Sequence, residues 1–222
     1  MGRAAQAAQT KHMNTAGDDG ARRPIASRSS FWAIGTARSL GRAGVTPNTI
    51  SVASVVFAGF GGALIVLCAH PLGWLAAAAC VQLRLVCNLL DGMVAIEGGK
   101  KTVTGALYNE FPDRIADSLL LIPVGYAAGF PWLGWLCALL AALTAYIRVF
   151  GGSVGLAQDF SGVMAKQRRM AALTAGLVAQ AVEWLLFGSH WSLVTAASVI
   201  ALGSLVTCVT RTRAIARALE AA

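Results

Sequence analysis

Six stretches of mostly apolar residues dominate this chain, each about as long as the 20 residues a helix needs to cross a bilayer. They cover about 49–69, 73–97, 102–129, 132–150, 170–188 and 191–212, a set that requires membrane helices rather than a soluble core. Composition agrees. Of 222 residues, 56% are hydrophobic and 13% charged, with a mean hydropathy of +0.64, whereas soluble domains carry roughly a quarter charged residues.

The basic residues orient these spans. They lie in the N-terminal region (Arg3, Lys11, Arg22, Arg23, Arg28, Arg38, Arg42), the second-to-third turn (Lys100, Lys101), the fourth-to-fifth connection and its helix ends (Arg148, Lys166, Arg168, Arg169) and the C-terminal end (Arg211, Arg213, Arg217). The other two of the 18 Lys and Arg, Arg84 and Arg114, lie inside spans, and the turns near 70, 130 and 189 hold none. Basic loops stay on the cytoplasmic side. Both termini and the two basic connections are therefore expected in the cytoplasm, with Trp74, Trp132, Trp135 and Trp191 anchoring the opposite interface. The formal charge of +8 then belongs to membrane topology, and no nucleic-acid partner is expected.

The expected fold is an all-α integral membrane protein of six transmembrane helices with an N-terminal interfacial helix. Residues 1–30 read as a flexible cytoplasmic tail, 31–45 as an interfacial juxtamembrane helix, and 46–222 as the six-helix membrane domain. Pro47 marks a turn before the first span, with Asn48 or Thr49 as helix cap. The five cysteines (Cys68, Cys80, Cys87, Cys137, Cys208) read as buried free thiols.

Polar groups interrupt the second and third spans. Arg84, Asn88, Asp91 and Ala95 share one helical face; Gly105, Asn109, Asp113 and Asp117 share another. Counted from the connecting turn, Asp91, Asn88, Asn109 and Asp113 lie at similar depth, with Arg84 and Asp117 deeper and placed to form a structural ion pair. Ionisable groups inside a membrane mark functional sites. Two carboxylates and two amides suit a hard cation, Mg²⁺ or Mn²⁺, as one or two ions. A hard cation near basic residues at a cytoplasm-facing pocket suggests phosphate chemistry.

These residues resemble the CDP-alcohol phosphatidyltransferases, whose motif reads DxxDGxxAR…GxxxDxxxD across the second and third of six helices. Here Asn88-x-x-Asp91-Gly92-x-x-Ala95-Ile96 corresponds to the first half and Gly105-x-x-x-Asn109-x-x-x-Asp113 to the second. Gly99, Thr102, the Thr46-Pro47-Asn48 entry and the basic 165–170 segment also match. The chain departs at Asn88, Asn109 and Ile96, which replace two acids and an arginine. A register shifted by four, ending on Asp113 and Asp117, is the alternative.

The resemblance implies transfer of a phosphatidyl group from CDP-diacylglycerol to an alcohol acceptor, with release of CMP. It implies metal at Asn88, Asp91, Asn109 and Asp113, catalytic roles for Asp91 and Asp113, and Asp113 as general base. Gly92, Ala95 and Gly105 would admit the cytidine; Arg148, Lys166, Arg168 and Arg169 would meet phosphate or serve as positive-inside anchors. Glu110 and Asp117 are candidate compensating acids, the latter if it is free of Arg84. A phosphate-bearing acceptor is favoured, and a homodimer in the bacterial inner (plasma) membrane is expected, with the active site facing the cytoplasm. The alternatives are a catalytically impaired family member that binds lipid or nucleotide, and a small membrane transporter.

Overall fold

The computed structural model describes residues 30–97 and 104–221. Nearly all of the expected N-terminal tail, together with Gly99, Lys100, Lys101 and Thr102, lies outside the described residues, as does the side chain of Ile96. The described chain is helical, with no strand. Helix α1 spans Phe31–Arg42, α2 Pro47–Leu67, α3 Pro71–Glu97, α4 Gly105–Ala127, α5 Pro131–Ser153, α6 Lys166–Phe187 and α7 Trp191–Glu220. Five of them, α2, α3, α5, α6 and α7, are long and apolar enough to cross a membrane. Helix α4 matches them in length at 23 residues but carries Glu110, Asp113, Arg114 and Asp117.

Proline opens α2, α3 and α5, where its missing N–H leaves no hydrogen bond unmade. The cap of α2 is Thr46, not Asn48 or Thr49: its extended backbone (φ −88°, ψ 151°) places Oγ1 to accept from Thr49 N at 3.2 Å. Two helices also run further than their apolar stretches. Helix α6 begins at Lys166 and α7 continues to Glu220, because polar residues extend a helix wherever its backbone bonds remain intact. The basic 165–170 segment is consequently the first turn of α6 rather than a connection preceding it.

The packing order departs from the chain order. Helix α2 packs on both α3 and α4, α3 packs on α6, α4 on α5, and both α5 and α6 on α7. The six helices close into a ring, α2–α3–α6–α7–α5–α4. Helices α3 and α4, read from sequence as adjacent, instead flank α2 and face each other across its inner side. Small residues allow this closeness. A Cβ at Gly62 on α2 would lie 2.1 Å from the Leu119 carbonyl oxygen of α4, and one at Gly125 would lie 2.4 Å from the Gly134 nitrogen of α5.

Helix α1 lies against α3. Ala33 and Ala37 pack with Leu89, Leu90, Met93 and Val94, while Phe31 and Trp32 point outward. Trp132, Trp135 and Trp191 are exposed as anchors should be, but Trp74 is 1% exposed and meets His190 edge-on at 5.8 Å. It fills space beneath the α6–α7 turn. Of the five thiols only Cys137 and Cys208 are buried; Cys68 is exposed where α2 ends.

Candidate active site

The site forms where the N-terminal part of α2, the C-terminal part of α3 and the N-terminal parts of α4 and α6 meet. Serine at 51 faces inward from the second turn of α2, and its Oγ donates to Asp91 Oδ2 at 2.7 Å. Asp91 is nearly fully buried. One turn earlier on α3, Asn88 presents a buried amide whose Nδ2 has no partner in the structure. Gly92 and Ala95 sit half buried beside them, and Gly105 opens α4.

On α4, Asp113 is surrounded by positive charge. Lys166 Nζ, from the first residue of α6, contacts its Oδ1. Arg84 Nη2 is 3.7 Å from the same oxygen, and Arg114 Nη2 is 3.6 Å from Oδ2. One turn deeper, Asp117 Oδ1 accepts from Arg84 Nη2 at 2.5 Å, as the matched depths require. Its second oxygen accepts from Arg169 Nη2 at 2.9 Å. Arg84 and Arg169 are at most 1% exposed. Asp117 thus bridges two buried guanidinium groups and is not free to compensate for the missing acids.

Helical periodicity separates the basic residues of 165–170. Lys166 and Arg169, three apart, face inward toward Asp113 and Asp117. Arg168 points out and donates to the Gly162 carbonyl at 3.3 Å. On α5, Arg148 contacts Glu110 Oε1 at 2.5 Å, donates to Gln158 and lies 4.9 Å over the Phe160 ring. Each of the three buried cations read as phosphate contacts therefore holds a carboxylate: Arg148 with Glu110, Lys166 with Asp113, Arg169 with Asp117. Asn109 is exposed on α4, at the same end of the helix as Glu110.

Several supporting residues escape a sequence reading. Arg211, counted there as a topology charge, is buried. Its guanidinium donates to Thr144 O at 2.7 Å and to Ser161 O at 2.6 and 3.0 Å. With Thr207, which accepts from Met164 N at 2.9 Å, it holds the 154–165 segment beside Arg148. In that segment partial burial opposes ionisation of Asp159, but hydrogen bonding from Ser161 outweighs it and holds the carboxyl below its usual range. Ser51 and Ser54, three apart in an otherwise apolar helix, were the available signal for an inward polar face on α2.

Comparison with known proteins settles the lineage. No family model matches the chain. The phosphatidylinositol phosphate synthase of Mycobacteroides abscessus is 30% identical over 190 residues, covering 81% of each chain. This chain belongs to the CDP-alcohol phosphatidyltransferase family. The inner membrane protein YnbA of Escherichia coli is also similar to this phosphatidyltransferase, at 29% identity over 158 residues, 67% of this chain and 76% of that one. The structure of Mycobacterium tuberculosis phosphatidylinositol phosphate synthase with CDP-DAG bound shares the fold, with a TM-score of 0.69 at 23% identity, covering 82% of this chain and 92% of that one. The same synthase in complex with manganese and citrate gives a TM-score of 0.68 at 24% identity, over 82% and 88%.

Proposed function

We propose that this phosphatidyltransferase moves a phosphatidyl group from CDP-diacylglycerol to an alcohol, releasing CMP, in a divalent-cation-dependent step of phospholipid synthesis. The observation that carries it is the meeting of Asp91 and Asp113 from different helices in one buried polar site, inside a chain whose relatives are named as phosphatidylinositol phosphate synthases.

The donor set fits a hard cation. It contains carboxylate and amide oxygens only, with two acids rather than three or more His, Cys, Asp or Glu brought together among the described residues, so the amides and the substrate diphosphate would complete the shell. The unpartnered Asn88 amide is the second sign, since a half-turn would present its oxygen to an ion at Asp91. Asp91 and Asn88 from α3, with Asn109 and Asp113 from α4, are the donors available. Bound there, Mg²⁺ or Mn²⁺ would neutralise the diphosphate.

The chain's own residues do the rest. The acceptor oxygen bonds to the lipid-side phosphorus while the bond from that phosphorus to the oxygen of CMP breaks, the electron pair leaving with CMP. Asp113 takes the acceptor's proton. Ser51 fixes the Asp91 carboxylate, and the Arg84–Asp117–Arg169 bridge fixes the turn of α4 below Asp113. Gly92, Ala95 and Gly105 leave room for the cytidine. Lys166 and Arg148 face the space where phosphate oxygens would lie, and Arg168 serves the membrane surface.

We further read α4 as a sixth crossing, its charged face turned into the ring, with α1 lying in the interface and the active site cytoplasmic. The basic charge at the ends of α1, α5, α6 and α7 supports that orientation. A homodimer belongs to the same reading.

Purified protein should release CMP from CDP-diacylglycerol when given Mn²⁺ or Mg²⁺ and a suitable member of a panel including inositol phosphate, glycerol phosphate, inositol and serine. Asp91→Asn and Asp113→Asn should each lower the rate at least about 100-fold. No release with any acceptor would favour a lipid- or nucleotide-binding role instead.

A further inference from the structure

We propose that Lys166 takes the place of a second divalent cation at Asp113, leaving a single metal site at Asp91 and Asn88. This rests on the transfer reading above and concerns how its charge is arranged.

The two acids of the site have opposite surroundings. Both oxygens of Asp113 face cations: Oδ1 meets Lys166 and lies 3.7 Å from Arg84, and Oδ2 lies 3.6 Å from Arg114. A divalent ion entering there would meet three fixed positive charges and one carboxylate. At Asp91 the side-chain partner is a neutral hydroxyl, that of Ser51 at 2.7 Å. Among the described residues no cation lies within ion-pair distance of Asp91, and the unpartnered Asn88 amide is one turn away on the same face.

Lys166 is held where it can act. It is 7% exposed, and Arg169, one turn further along α6, is anchored to Asp117. The start of α6 is thereby fixed against α4. An ammonium ion offers three donors and one positive charge on a flexible stem. It can meet phosphate oxygens as a metal would, but it needs no coordination shell from the protein. That relieves the chain of the two acids it lacks. Four aspartates would balance two divalent ions. Asp91 and Asp113 with Lys166 between α4 and α6 carry a net single negative charge, which one divalent ion already exceeds, so nothing on the protein is left to balance a second.

Mn²⁺ binding to the purified full-length protein, followed by electron paramagnetic resonance and equilibrium dialysis, tests this without turnover. Wild type should bind one Mn²⁺ per chain, and Asp91→Asn should weaken binding at least about 30-fold. The charge-neutral pair Asp113→Asn with Lys166→Gln should keep one ion within about threefold of wild-type affinity. Lys166→Gln with Asn109→Asp should gain a second. Two ions of similar affinity in wild type, or none, would overturn the proposal. So would a loss above about tenfold in the charge-neutral pair while it retains wild-type helicity and elution volume. CMP release is scored separately: one bound ion without any release supports this metal assignment and removes the transfer reading, whereas release with two bound ions does the reverse.

Discussion

Asp117 stands at the centre of a buried ionic set. Its carboxylate joins Arg84 at 2.5 Å and Arg169 at 2.9 Å, with no water-exposed side to any of the three. Removing one partner of a buried ionic set strands the others' charge, which costs about 3–5 kcal/mol. Asp117→Ala should lower the unfolding midpoint in detergent accordingly. Exchanging the pair, Arg84→Asp with Asp117→Arg, should not restore stability, because Arg169 would then face a new arginine. A two-residue reading of sequence predicts recovery; the three-residue bridge predicts none. Glu110 makes a different point. Its carboxylate holds Arg148, so a phosphate-bearing acceptor must compete for that guanidinium. Glu110→Gln should lower KM for such an acceptor several-fold while leaving KM for a neutral alcohol nearly unchanged.

At the scale of elements, the inner faces of α3 and α4 were legible and their neighbours were not. The spacing of Arg84, Asn88 and Asp91, and of Asp113 and Asp117, placed these polar groups because helical periodicity is local, while Asn109, read onto the same face, is exposed. That α2 lies between α3 and α4 depends on which surfaces fit. The evidence for it was confined to Gly61 and Gly62, which a sequence reading cannot distinguish from other small residues in a membrane helix. The burial of Arg211 and the pairing of Lys166 with Asp113 escaped for a related reason: near a helix end, a buried cation and a topology charge look alike until a partner from another helix is known. The close approach of α2 to α4 has a direct test. Gly62→Val would drive a side chain against the Leu119 carbonyl, whose oxygen lies 2.1 Å from where the new Cβ would stand, and overpacking of this kind costs about 1–3 kcal/mol. Thermal unfolding should show the loss, and Gly59→Val, with only Leu119 Cδ1 at 3.9 Å, should show little.

The whole molecule is a ring of apolar helices closed around a line of charges at one end. Its far end is tied by local bonds: the Glu183 carboxylate of α6 accepts from the backbone nitrogens of Trp191 and Ser192 at 2.8 and 2.7 Å, capping α7. The asymmetry supports a single working end. Chemistry at that end, in a chain with two amides where its family's motif has acids, is the central claim. The measurement that bears on it most directly is mass spectrometry of the lipid formed from CDP-diacylglycerol, Mn²⁺ and an acceptor alcohol. The account predicts a phosphatidyl-alcohol formed mole for mole with CMP, dependent on the metal and lost in Asp113→Asn. Phosphatidate with no alcohol adduct, or unchanged CDP-diacylglycerol across all acceptors, would contradict it.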